Sequence, residues 1–239
     1  MKLPKYNRMV FLVLCFAFFI PAMVSAGPQT LLLASGSDTQ SAGYTITEPS
    51  NPLDISSYSN GGIWSSATPL VQAGWYDETL APFGSGATWV SSAATTEGGG
   101  ENQWRLFKID FAIPPGSTIN SAQLSYTADN AVAVYLNDVE ISSTGSVYGT
   151  VPTPYNPPYI FQTSFSVNFN PLVGSNTLKF VVRNWDNENS YNPTGLLYKG
   201  IIMYQSPDPV PEFPSAFLPV TMIIGFLGAV LLIQRTREQ

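Results

Sequence analysis

The chain has no histidine in 239 residues and a single cysteine, Cys15. Without histidine there is no Ser–His or Cys–His nucleophile pair and no imidazole site for zinc or iron. Cys15 lies in an apolar run near the amino terminus, behind Leu14 rather than a small residue, so it does not read as a lipid-attachment cysteine. The rest of the chain has no disulfide to draw on and must hold itself together by core packing. Basic residues are scarce as well. Between Gly27 and Ala216 there are 15 Asp plus Glu against 5 Lys plus Arg, a net charge of −10. A surface of that sign argues against nucleic acid as a partner. It suits calcium, basic partners, or solubility in salty surroundings. No Asn-x-Ser/Thr acceptor occurs, because Pro193 follows Asn192, and N-glycosylation is not expected.

The two ends carry address signals. Lys2, Lys5 and Arg8 precede the apolar run Met9 to Ile20, then Pro21, then Val24-Ser25-Ala26. This is the layout of a secretory signal helix over residues 1–26, with cleavage after Ala26. The apolar run is about half of the roughly 20 residues that a spanning helix needs. At the other end, Phe217 to Ile233 is uncharged and is followed by Arg235 and Arg237. As a helix it reaches roughly 25 Å, at the short end of a transmembrane span. Its arginines place Gln239 in the cytoplasm and everything before Phe217 outside. Residues 206–216 hold Pro207, Pro209, Pro211 and Pro214, which makes them a stiff extended spacer.

About 180 residues remain for one displayed domain, 27–205. Strict alternation predicts strands there. Phe107, Ile109, Phe111 and Ile113 share one face; Ala122, Leu124, Tyr126 and Ala128 repeat the pattern. Val132, Val134 and Leu136 lead through Asn137-Asp138 into Val139 and Ile141, as in a tight hairpin. Phe161 to Phe169, Leu178 to Val182 and Ile201 to Tyr204 follow, with Gln29 to Ala34 and Tyr44 to Thr47 as the first strands. Asp54 to Gly86 reads as an irregular crossing, and Trp89 and Trp104 as core. The expectation is all-β: an antiparallel sandwich with one polar face per strand, flanked by the signal helix and the transmembrane helix.

Pro211-Glu212-Phe213, the apolar span and the terminal arginines together resemble the PEF-CTERM sorting signal of archaeal surface proteins, a relative of the bacterial PEP-CTERM signal. The resemblance implies recognition of Pro211, Glu212 and Phe213 by an archaeosortase-type membrane enzyme, cleavage near them, and transfer to a lipid anchor, as for other processed tails. Hydropathy alone leaves a retained transmembrane helix equally open. Either way the protein is expected at the cell surface, on the outer face of the cytoplasmic membrane. Gly86 to Val90, Asp129-Asn130 before Val134 to Asn137, Gly174 to Leu178, and Asn192 to Leu196 resemble the galactose-binding-like jelly-roll domains of such surface proteins.

The richest polar stretch is Asn184 to Asn192. Trp185 and Tyr191 supply flat rings for stacking on sugars; Asp186, Asn187, Glu188 and Asn192 supply hydrogen-bonding oxygens and amides. Asp186 and Glu188 would equally ligate calcium, the one cofactor the sequence leaves room for. An ordinary turn-rich loop over a packed Trp185 is the plain alternative. Asp129 and Asn130 form a second candidate at a strand end, and Trp75, Tyr76, Asp77 and Glu78 a third. Catalysis would need a carboxylate pair drawn from Asp77, Glu97, Glu101, Asp129, Asp186 or Glu188. No motif marks such a pair, so the expectation is a structural or adhesive surface protein rather than an enzyme, with binding of a surface glycan as the alternative.

Overall fold

The computed structural model describes residues 27–70, 74–92, 102–151, 160–185, 193–207 and 217–237. The signal segment, the sorting motif Pro211-Glu212-Phe213 and the loop 186–192 lie outside the described residues. The chain divides into two units, one being Pro28–Ser206 and the other including the helix near the carboxy terminus.

The first unit is two antiparallel sheets. Sheet A contains β1 (Pro28–Ala34), β4 (Thr68–Pro69), β5 (Val90–Ser91), β7 (Thr118–Asp129), β10 (Phe165–Asn168) and β12 (Gly195–Gln205), in the order β10-β7-β12-β5-β4, with β1 also on β12. Sheet B contains β2 (Gln40–Thr45), β3 (Ser65–Ser66), β6 (Gln103–Ile113), β8 (Ala131–Leu136), β9 (Val139–Thr144) and β11 (Gly174–Asn184), in the order β3-β2-β6-β11-β8-β9. Alternation decides which side chains meet between the sheets. Phe107, Ile109, Val132, Val134, Leu178, Phe180 and Val182 of sheet B close on Leu124, Tyr126, Leu196, Tyr198 and Ile202 of sheet A, all buried in one core. Phe180 stacks on Tyr198 at 4.5 Å between centroids. Between β8 and β9, Asn137 and Asp138 take positive φ angles of 50° and 68°, the left-handed pair that a two-residue hairpin requires.

Sheet B departs from the expected single polar face. Trp104, Leu106, Ala131, Ala133, Tyr135 and Val181 point away from sheet A, yet are buried in a second cluster with Ala42, Tyr58, Val147 and Trp185. Loops carrying Leu53, Ile55, Trp64, Tyr148 and Val151 cover this side. That explains the unbroken burial of β8, since a strand covered on both sides carries no alternation. A third cluster, Leu70, Phe83, Ala87, Trp89 and Leu197 with Trp75 and Phe161 against it, covers part of the outer face of sheet A.

Two further expectations are corrected. Phe161 lies in a 3-10 turn, Ile160–Gln162, not in a strand; its ring packs 6.4 Å from that of Trp75 outside sheet A, whereas Phe165 turns inward. The second strand begins earlier than expected and ends at Thr45. It is irregular between Ser41 and Tyr44, where Gly43 has φ of 90° and a Cβ would meet Ser59 Oγ at 2.3 Å. Only glycine fits such a bulge.

Near the carboxy terminus α1 (Phe217–Arg237) has 21 residues, roughly 32 Å of helix, where the sequence predicts one. Met222, Ile223, Phe226, Leu227 and Leu231 are among its exposed side chains. Among the described residues no helix is long and apolar enough to cross a membrane.

Candidate functional site

Strand register defines two ends of the sandwich. Gly195 faces Asp129 and Asn184 faces Gln103 at one end; Gln205 faces both Thr118 and Pro28 at the other. The first end is where polar side chains are buried in number: Gln103, Arg105, Asp129, Asn130, Asn184 and Thr194. β5 and β11 end here, and β6 and β12 begin here.

Asp129 and Asn130, joined by a cis peptide bond, link β7 of sheet A to β8 of sheet B. The Asn130 amide N–H donates to the Arg183 carbonyl at 3.0 Å, and its side-chain oxygen accepts the Trp185 N–H at 2.8 Å. Its side-chain amide donates to the Asp129 carboxyl. Burial pushes the Asp129 carboxyl up to about 8, against a hydrogen bond from Trp75 that favours the charge. A carboxyl so held is a neutral donor and acceptor over much of the acid range. The Trp75 ring lies 4.4 Å from that of Trp89 and seals this region against Gly195, where a Cβ would approach the ring to 2.4 Å.

The candidates from the sequence separate accordingly. Asp129 and Asn130 do sit together at a strand end, but they are buried and serve the sheet-to-sheet crossing. Trp185 is 2% exposed, with its indole N–H donating to Ser146 O at 3.0 Å. It is therefore not an exposed shelf for sugar stacking, and it belongs to the packing of sheet B. Asp186, Asn187, Glu188, Tyr191 and Asn192 lie outside the described residues. In the third candidate, Asp77 accepts from the Thr79 N–H and hydroxyl at 2.9 and 2.7 Å, and Glu78 accepts the Trp89 N–H at 2.9 Å. Both carboxylates are occupied in shaping a loop. Among the described residues no three His, Cys, Asp or Glu side chains gather as a metal site.

Two residues of this end escape the sequence reading. Arg105 is buried and donates to Gln103 Oε1 at 2.9 Å and Ser91 Oγ at 3.1 Å. Thr194 is buried with its hydroxyl unpartnered among the described residues. The available signal for Arg105 was its place within Trp104-Arg105-Leu106-Phe107, a run whose apolar residues fall on both faces and so announce burial on both.

The sequence matches no protein-family model and no curated protein. Among solved structures, a family 35 carbohydrate binding module from Clostridium thermocellum is similar at 12% identity over 74% of this chain and 98% of that one, with a TM-score of 0.32. A β-glucuronidase from an uncultured Clostridium matches at 12% identity over 76% of this chain and 30% of its own, TM-score 0.34. A β-glucosidase from Kluyveromyces marxianus matches at 12% identity over 45% of this chain, TM-score 0.29. The chain spans about a tenth of that β-glucosidase. Likenesses of this size carry no argument about function.

Proposed function

We propose that this chain is an exported surface protein whose jelly-roll sandwich is displayed outside the cell and held to the membrane through its carboxy-terminal tail, in a structural or adhesive role. The observation that carries the reading is where the tail leaves the domain. Strand β12 runs from Gly195, beside Asp129, to Gln205, beside Pro28, roughly 33 Å away. The Pro-rich spacer starts at the next residues, so the buried polar cluster lies at the other end of the sandwich from Gln205. The burial of Trp185 favours a structural over a ligand-stacking role for that residue. In this account the apolar run Phe217 to Ile233 is the membrane-directed part of a sorting tail, Pro211-Glu212-Phe213 is read by an archaeosortase-type enzyme, and the domain is not a catalyst.

Protease treatment of intact cells tests it. The domain should be digested from outside, and the surviving membrane fraction should hold the tail or its lipid-linked remnant. Protection of the domain in intact cells, with digestion only after lysis, would overturn the proposal.

A second reading is carbohydrate binding by the stretch Asp186 to Asn192, whose Tyr191 ring and amide and carboxylate side chains suit stacking on a sugar and recognition of its hydroxyls. Binding of the full chain to a panel of envelope glycans, with calcium and then with chelator, tests it. Saturable binding weakened by Tyr191→Ala would support a lectin role, and absence of binding under both conditions would remove it for that panel.

A further inference from the structure

We propose that Asp129 and Trp75 form a pH-operated latch on the outer face of sheet A, in which ionisation of the buried carboxyl lifts the Trp75 ring and lets water reach the strand end beneath it. The inference depends neither on the tethered reading nor on glycan binding.

A buried carboxylate is ordinarily matched by a cation, and Asp129, 4% exposed, is not. The 5 Lys plus Arg between Gly27 and Ala216 are all engaged elsewhere. Arg105 of β6 donates to Gln103, Ser91 and Ser92, Arg183 of β11 to Asn102, Ser146 O and Gly149 O, and Lys199 of β12 to the Phe83 carbonyl. Lys108 and Lys179 pair with Asp110 and Asp138 on sheet B. The ionisable groups of the segment covering sheet A are taken up as well. Tyr76 donates to Ala81 O, Asp77 accepts from Thr79, and Glu78 accepts the Trp89 N–H. The donors to Asp129 are neutral ones, the Asn130 side-chain amide and the Trp75 indole.

One side of this site can give way. Asn130, Gly195 and Trp89 are buried, whereas Trp75 is half-buried, so water enters from the Trp75 side. The next residue, Tyr76, is fixed by its N–H on the Phe161 carbonyl at 2.7 Å and by the Trp89 indole N–H on its own carbonyl at 2.9 Å. Gly74, just before, has φ of 86°. Movement is thereby confined to Trp75, whose ring leaves Trp89 and Gly195.

Proton binding supplies the drive. The carboxyl titrates at about 8 beneath the ring and at 3.8 where water surrounds it, so the closed form binds the proton about 10⁴-fold more tightly. A preference of that size moves a two-state equilibrium from about 99:1 to about 1:99. The latch is therefore closed in acid and opens as pH rises towards 8. Unfolding the domain releases the same proton but also breaks the core between the sheets, so the local opening comes first.

The test is fluorine NMR of the full chain in detergent micelles, with its five tryptophans replaced by 5-fluorotryptophan and the Trp75 signal assigned by its loss in Trp75→Phe. Between about pH 5 and about pH 9 the Trp75 signal should move to the position of an exposed indole and become broadened by a soluble gadolinium chelate. The Trp64 and Trp104 signals on sheet B should stay in place. Asp129→Asn should hold the Trp75 signal at its acid position throughout. Gly195→Ala, whose Cβ would meet the ring at 2.4 Å, should show the exposed position already in acid. A stationary Trp75 signal would overturn the proposal, as would a shift without added broadening, the same titration in Asp129→Asn, or movement of all five signals together. If Asp129→Asn does not fold, Gly195→Ala decides, and a titration there like that of the unchanged chain would overturn the latch.

Discussion

Sheet B is covered on both sides by its own chain, while sheet A is covered on its inner face and only partly on its outer one. The difference follows from where the aromatic residues fall. Tyr58, Trp64 and Trp185, with Val147, close over the outside of sheet B around Trp104, and its exposed margin is neutralised by the pairs Lys108–Asp110 and Lys179–Asp138, each at 2.6 Å. Sheet A has Trp75, Phe83 and Trp89 over one end and uncharged short side chains over the other. One sheet is thus built to hold the fold in the absence of disulfides. The other keeps a face available.

The largest expected effect breaks what the sheets share. Phe180→Ala removes a ring buried between them against Tyr198 and should cost ~3–5 kcal/mol, read from urea unfolding. A matched pair sharpens the contrast between the outer faces. Ala133→Leu adds volume on the covered side of sheet B and should cost ~1–3 kcal/mol by overpacking. Ser121→Leu, on the open side of sheet A, should stay within about 0.5 kcal/mol. Equal losses in that pair would show that the faces do not differ as described.

A separate effect is a dependence on pH from Asp129. Its folded carboxyl is raised from 3.8 to about 8, so between those values the native state holds a proton that the unfolded chain has released. The stabilising contribution is complete below about pH 4 and is lost as pH rises towards 8. Asp110, Asp54 and Asp77 shift downward and act only at the acid end. Stability should therefore decline from pH 5 to 8, and Asp129→Asn should flatten that slope in thermal melts across the range. Lys179→Ala is also small in effect. It removes a pair whose Asp138 side chain is 63% exposed and should cost no more than about 1 kcal/mol.

How far these features were legible in the sequence depends on how each residue signals. Strands with one solvated side, such as β7 with Ser121 and Gln123 between Ala122 and Leu124, announce themselves by period. The hairpin at Asn137-Asp138 does so by residues that accept positive φ. Burial of β8 on both faces was harder to see, because Ala131-Val132-Ala133-Val134 alternates in size rather than polarity. Phe161 follows the period of Phe165 by coincidence, since its packing partner Trp75 arrives from a loop distant in sequence. For the candidate site, the adjacency of Asp129-Asn130 to the start of β8 was visible. The burial of Trp185 was not, because a tryptophan among Asn and Asp looks the same in sequence whether it faces solvent or supports the loop from below.

The central claim is display on a membrane tether, and the intact mass of the protein extracted from the membranes of its own cells tests it most directly. The account predicts a chain that begins at Gly27, recovered with membranes, and ending either near Pro211-Glu212-Phe213 with added lipid mass or at Gln239. A chain that begins at Met1 and is recovered in the soluble fraction would contradict it.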